Sequence, residues 1–201
     1  MPKFIIHRLN KLSHLKKINP LDGFECDVIN YKNKLIMQHD INKNGNLFNN
    51  FLNQINNKQI VFLNVKSSGL VYKILKRIKN KNIFFLDLTF SEIDYLIKKN
   101  LSKLIILRNS VYENFDLSSK YFKGIKWVWV DYFQNKKIDL PTYKHIKKYN
   151  KKICIVSPEL LGKTKKDLIK YAKYLNKNKI IVDAVCTKSK FIKDWKKFYK
   201  Y

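Results

Sequence analysis

Glu25 and Asp27 stand two residues apart in an apolar, strand-like run, Gly23-Phe24-Glu25-Cys26-Asp27-Val28-Ile29. Side chains of an extended chain alternate between faces, so both carboxylates leave the same side of a sheet and make a candidate cation site. His7 closes the preceding run, Lys3-Phe4-Ile5-Ile6-His7, and His39 closes the following one, Lys34-Leu35-Ile36-Met37-Gln38-His39. Two imidazoles flanking a carboxylate pair is the layout of metal-assisted acid–base chemistry. Either histidine alone reads as structural, but the joint pattern assigns His7 and His39 to acid–base work.

The elements that must position these groups follow a regular rhythm from residue 59 onward: a short apolar run, a polar break, a segment of helical period, then another run. Strands are expected at 3–7, 24–30, 59–65, 82–88, 103–108, 126–132, 152–157 and 179–186, with 34–38 as an extra extended piece. Helices are expected at 69–80, 91–99, 141–149 and 164–176, each carrying apolar residues at three- and four-residue spacing. The Asn-rich stretch 42–58 holds Leu47, Phe48, Phe51, Leu52 and Ile55 at helical spacing and reads as a short packed helix. The connections at 9–22 and 109–124 are weakly helical at best. Eight strands alternating with helices imply an α/β chain, a compact (β/α)8 barrel with some helices reduced or missing. No repeat, linker or shift in composition divides residues 1–201, so a single domain is expected.

In such a barrel, functional groups gather at the C-terminal ends of the strands. His7 and Arg8 close the first strand, Asn64-Val65-Lys66 the third, Asp87 the fourth, Arg108 the fifth and Asp131 the sixth. Ser157 and Glu159 close the seventh and Thr187 the eighth. Asp87 and Asp131 read equally as caps of the helices that follow or as catalytic groups. Ser157-Pro158-Glu159 reads as a turn and helix start, and His14 and His145 as solvated. The only arginines are Arg8, Arg77 and Arg108. Keeping Arg8 and Arg108 at strand ends, in a chain that otherwise uses lysine, suggests a need for the planar donor that suits phosphate.

The formal net charge of +27 would ordinarily point to nucleic acid or an anionic membrane. Almost all of it is lysine in an Asn- and Ile-rich chain, and no strip of alternating aromatics and lysines marks a stacking surface, so nucleic acid is not an expected partner. No apolar run approaches the roughly 20 residues of a membrane span, and the first residues lack the apolar core of a signal peptide, which suggests a cytoplasmic protein. Cys26, Cys154 and Cys186 are widely spaced in apolar runs and read as buried free thiols.

The three linked motifs His7-Arg8, Glu25-Cys26-Asp27 and His39-Asp40, with Gly23 just ahead of the carboxylates, resemble the glycerophosphodiester phosphodiesterase family and its phosphatidylinositol-phospholipase-C-like barrel superfamily. Later segments are similar to a bacterial branch of it: Leu63-Asn64-Val65-Lys66 with Gly69-Leu70, Phe84-Phe85-Leu86-Asp87, Leu107-Arg108, Trp129-Val130-Asp131 and Ile155-Val156-Ser157-Pro158-Glu159-Leu160. The resemblance implies a phosphoric diester hydrolase that cleaves a small glycerophosphodiester, releasing a phosphorylated polyol and an alcohol. It implies a Mg²⁺ or Ca²⁺ ion on Glu25, Asp27 and Asn64, phosphate contacts from Arg8, Lys66 and Arg108, and His7 and His39 as the acid and base.

The chain also departs from the family pattern. Leu9 stands where Gly usually follows His-Arg, the Glu-Asn-Thr segment is absent from 10–20, and the insertion that shapes the substrate pocket is reduced to 41–58. Asn64 stands in place of an acidic ligand; its amide oxygen can still coordinate a hard cation but contributes no charge. These departures motivate two alternatives: a catalytically silent barrel that binds phosphorylated ligands, and a basic protein that docks on polyanions or a membrane surface.

Overall fold

A computed structural model describes residues 1–41, 43–78 and 81–200. In chain order the first elements are β1 (Lys3–Ile6), α1 (Leu12–Leu15), β2 (Gly23–Tyr31), β3 (Lys34–Met37), β4 (Asn46–Leu47), α2 (Phe48–Leu52), β5 (Val61–Val65), α3 (Val71–Leu75), β6 (Ile83–Leu86) and α4 (Phe90–Lys98). Then come β7 (Ile106–Asn109), β8 (Trp127–Val130), α5 (Leu140–Lys148), β9 (Lys152–Val156), α6 (Lys165–Lys177), β10 (Ala184–Thr187) and α7 (Ile192–Phe198). The class is α/β, as the alternation of patterns requires. The chain forms two compact units, one made of Arg8–Ile105 and the other of Met1–His7 with the chain from Ile106 onward.

In the Arg8–Ile105 unit, β2, β5 and β6 are parallel, with Asp27 opposite Asn64 and Asn64 opposite Leu86. All five residues of β5 and the first seven of β2 are buried, which is why these strands read as continuous apolar runs rather than alternating ones. β2 runs on beyond its pairing with β5, turns through Lys32 and Asn33, both with positive φ, and returns as antiparallel β3. Two left-handed residues in a two-residue loop are the hairpin turn that matches strand twist. Glu25 and Asp27 consequently lie at the third and fifth of the nine positions of the observed strand, both within its parallel portion.

In the other unit, β7, β8, β9, β10 and β1 pair in parallel in that order. Helix α6 starts on a capping box of Thr164 and Asp167 and buries Leu168, Tyr171, Ala172 and Leu175. The final strand begins at Ala184 rather than 179: Lys179 adopts a left-handed conformation, yet Ile180 and Val182 are buried and mimic strand periodicity. Helix α7 escapes a reading of periodicity because its lysines dilute the stripe. It is anchored by Trp195, fully buried, whose indole N–H donates to Ser157 Oγ at 2.8 Å.

Expected helices 91–99, 141–149 and 164–176 appear as α4, α5 and α6, each with a side chain capping its N-terminus. Segment 69–80 shortens to α3, which has no side-chain cap; its last residues, Lys79 and Asn80, lie outside the described residues, as does Asn42 of the Asn-rich stretch. That stretch contains α2, with Phe48, Phe51 and Leu52 buried. Among the described residues no helix is long and apolar enough to cross a membrane.

One lysine is a core residue. Lys151 is 3% exposed, and its ammonium donates to the carbonyls of Phe122 at 2.8 Å, Lys123 at 3.1 Å and Ile125 at 2.6 Å. Burial pushes its pKa down. Removing it strands buried acceptors, each costing about 1–3 kcal/mol, so Lys151→Met should lower stability to urea by on the order of 3 kcal/mol. A loss below about 1 kcal/mol would show that water replaces the ammonium.

Candidate functional site

The site in the Arg8–Ile105 unit is built on β2. Glu25 and Asp27 are 2% and 1% exposed and share one face of the strand. Arg8, held at φ 52, turns the chain so that its own N–H donates to Glu25 Oε2 at 2.8 Å while the next N–H, of Leu9, donates to the Glu25 carbonyl, also at 2.8 Å. A left-handed residue other than Gly or Asn costs roughly 1 kcal/mol. Here it aims two successive donors at one acidic residue.

Asp27 is held differently. Asn10 Nδ2 donates to Asp27 Oδ2 and the Asp27 N–H donates to Asn10 Oδ1, each at 2.8 Å. Asn46 Nδ2 in turn donates to the Asn10 carbonyl at 3.3 Å. Asn10 carries no sequence signal, being one asparagine in a chain full of them, and its role emerges only from the geometry. Across the strand pair, the Asn64 side chain hydrogen-bonds Glu25. Asp27 Oδ1 and Asn64 Oδ1 are buried with no hydrogen-bond partner among the described residues.

Two orphaned oxygens beside a buried carboxyl group are the donor set of a hard cation such as Mg²⁺ or Ca²⁺, which takes oxygen ligands from carboxylates and amides. The residues present therefore fit such an ion, with only two negative charges. No group of three or more His, Cys, Asp and Glu among the described residues is arranged to hold a metal, and the amide of Asn64 is the reason the set falls short. Burial first, and the neighbouring Asp27 second, push the Glu25 pKa up to about 8, against the opposing pull of the Arg8 N–H, Asn64 and Lys66. Burial and the same two carboxylates push the Cys26 thiol up, consistent with an inert sulfur.

β3 returns the chain alongside β2, where the Gln38 N–H donates to the Asp27 carbonyl at 3.1 Å. This register brings His39 to Arg8. An Arg8 terminal nitrogen lies 2.7 Å from His39 Nε2, and His39 Nδ1 lies 2.9 Å from Asp40 Oδ1. A guanidinium only donates, so Nε2 is the acceptor and Nδ1 carries the hydrogen given to Asp40. Lys43 donates to the other oxygen of Asp40 at 2.7 Å, and the pKa of Asp40 falls to about 2 through His39 and Lys43. At the ends of β5 and β6, Lys66 donates to Asp87 at 3.0 Å, with Asp87 in a left-handed conformation.

The other unit holds the remaining sequence candidates. His7 ends β1, half-buried, with its N–H donating to the Thr187 carbonyl at 3.0 Å. Arg108 pairs with Asp131 at 2.6 Å and Glu113 at 3.5 Å, and Asp131 also accepts from the Trp129 indole at 3.0 Å. Neither Asp87 nor Asp131 caps a helix; each holds a strand-end cation. Beside Asp131, a cavity of about 90 Å³ is lined in part by Ser110, Lys136 and Thr142. Glu159, buried, accepts from Ser157, from Thr187 Oγ1 at 2.5 Å and from the Lys188 N–H at 3.2 Å, tying the ends of β9 and β10 together. His14 and His145 are exposed. The lysines are not all idle, since the half-buried Lys147 and the exposed Lys165 hold Asp183 and Asp194 at 2.6 and 2.7 Å.

No protein-family model matches the chain and no curated protein matches it. Solved structures do. The crystal structure of a glycerophosphodiester phosphodiesterase from Agrobacterium tumefaciens matches over 92% of this chain and 96% of its own, with a TM-score of 0.59 and 11% identity. That of a glycerophosphoryl diester phosphodiesterase from Parabacteroides distasonis matches over 92% and 82%, with a TM-score of 0.50 and 12% identity. The fold is that of the glycerophosphodiester phosphodiesterases, as the motifs suggest.

The raised pKa of Glu25 has a defined consequence for stability. The folded state holds this proton up to about pH 8, whereas an unfolded glutamate releases it near pH 4.3. Between those values the native state binds more protons, so stability falls as pH rises. In chelator-containing buffer, unfolding free energy should drop by on the order of 5 kcal/mol across that window. Glu25→Gln should flatten this dependence; an unchanged slope in Glu25→Gln would assign it to another group.

Proposed function

We propose that this chain is a phosphoric diester hydrolase that cleaves a glycerophosphodiester or a related small phosphodiester. The observation that carries the reading is the set Glu25, Asp27 and Asn64 with its two unsatisfied buried oxygens, joined through Arg8 to a histidine whose tautomer is fixed by Asp40. The shared fold supports it. Mg²⁺ or Ca²⁺, held by Glu25, Asp27 and Asn64, would supply neutralisation of a phosphate oxygen.

The chain's own groups divide the remaining work. Arg8 retains donors beyond the one given to His39 and offers a planar fork to the phosphate. Lys66, held in place by Asp87, adds positive charge as the pentacoordinate state forms. His39, once Nε2 exchanges the Arg8 donor for the nucleophile, takes the proton of the attacking water, or of a hydroxyl of the substrate itself, as the new P–O bond forms. His7, next to Arg8 in the chain, gives a proton to the departing alkoxide as the old P–O bond breaks. Arg108, balanced by Asp131 and Glu113, serves phosphate recognition more weakly than Arg8.

Asn64 favours one other reading, a silent barrel that binds phosphorylated ligands without turnover, because a site with one acid fewer holds a cation less tightly. Histidine variants separate the two. His7→Ala and His39→Ala should each lower kcat on a glycerophosphodiester by on the order of a hundredfold or more, with the circular dichroism spectrum unchanged. Near-parental rates in either variant would remove the acid–base assignment, and absence of parental turnover with intact ligand binding would favour the silent barrel. Asn64→Asp should tighten Mg²⁺ or Ca²⁺ binding measured by calorimetry; an unchanged affinity would take Asn64 out of the ligand set.

A further inference from the structure

The third arginine belongs to a different place. Arg77 follows α3 and, with Lys73 of that helix and Lys34 of β3, lines a cavity of about 350 Å³ whose walls also include Asn33, Leu35 and Leu47. Among the described residues no acidic one lines it. The volume falls within the range of small-molecule sites, roughly 300–1,000 Å³.

Convergence on one concavity distinguishes these cations from the lysine background. Lys34, Lys73 and Arg77 are exposed, whereas the half-buried Lys66, Arg108 and Lys147 are matched by Asp87, Asp131 and Asp183. Lys34, Lys73 and Arg77 have no carboxylate partner among the described residues, although they converge on one concavity. Arg77 donates one guanidinium nitrogen to the Lys73 carbonyl, which fixes the plane of the fork while leaving further N–H groups to give. Asn33, in the left-handed hairpin turn with Lys32, places an amide on the rim from a rigid two-residue loop. Leu35 and Leu47 add an apolar wall, with Leu47 43% exposed. Three unmatched cations and an amide beside two leucines suit a phosphoryl group carried on a small, partly apolar body.

We propose that this cavity is a second anion site, separate from Glu25, Asp27 and His39, that binds a small phosphorylated molecule. It does not depend on the hydrolase reading, and its test is a binding measurement on the full chain. sn-Glycerol 3-phosphate and inorganic phosphate are titrated calorimetrically in about 150 mM NaCl, where diffuse surface attraction is screened. Lys34→Gln with Lys73→Gln, both exposed and safe for folding, should weaken glycerol phosphate binding by on the order of tenfold, and Arg77→Lys should weaken it by keeping the charge but losing the fork. Lys144→Gln with Lys148→Gln, the same change in net charge on α5, should leave affinity within about twofold. Arg8→Ala with Lys66→Ala, which removes the cations of the candidate active site, should leave this binding intact. Tighter binding of glycerol phosphate than of inorganic phosphate would support the apolar wall. Equal weakening by the α5 control, loss of all binding in Arg8→Ala with Lys66→Ala, or no binding by the parent chain would overturn the proposal.

Discussion

Two carboxylates side by side in a protein interior repel each other and have lost their water, and the Arg8–Ile105 unit is arranged around that constraint. Glu25 is kept by backbone N–H groups that a left-handed Arg8 aims at it and by the Asn64 amide; Asp27 is kept by both ends of the Asn10 amide. These contacts are directional and consume one oxygen of Asp27 while leaving Asp27 Oδ1 and Asn64 Oδ1 unsatisfied. A purely structural site would close such gaps, since buried polar atoms are almost always paired. Two such gaps, on residues paired across adjacent strands, are the ground for proposing that a cation completes the site.

The same unit links the acidic pair to His39 by two short steps. Arg8 contacts Glu25 through its backbone and His39 through its side chain, so one residue links the buried acidic pair to the imidazole. The hairpin of β2 and β3 returns His39 to that place, and Asp40 fixes its tautomer. A net charge of +27 plays little part in this. The cations that matter are placed by strand ends and counter-ions, and Lys151, Lys147 and Lys165 show that part of the lysine content is consumed by carbonyls and carboxylates.

The sequence made the strands and most helices legible because parallel strands buried on both faces are written as unbroken apolar runs and the longer helices carry side-chain caps. It misplaced the start of β10, where Ile180 and Val182 are buried without strand pairing, and it hid α7, whose fixing contacts run through Trp195 to Ser157. At the site, residue type and spacing were enough to single out Glu25, Asp27 and His39 as candidates, since period-two geometry and a histidine at a strand end are local signals. Asn10 was illegible because its significance comes from pairing with a residue 17 positions away. The counter-ions of Lys66 and Arg108 were missed for the same reason, with Asp87 and Asp131 read equally as helix caps or catalytic groups rather than as their partners.

The central claim is that the buried carboxylate pair and its open oxygens form a cation-dependent hydrolytic site. Hydrolysis of a glycerophosphodiester by the purified chain, followed in chelator and then with Mg²⁺ or Ca²⁺ restored, tests it most directly. Turnover that vanishes in chelator and returns with the cation is the expected result. Turnover that is indifferent to chelator, or that no divalent cation elicits, would contradict the account.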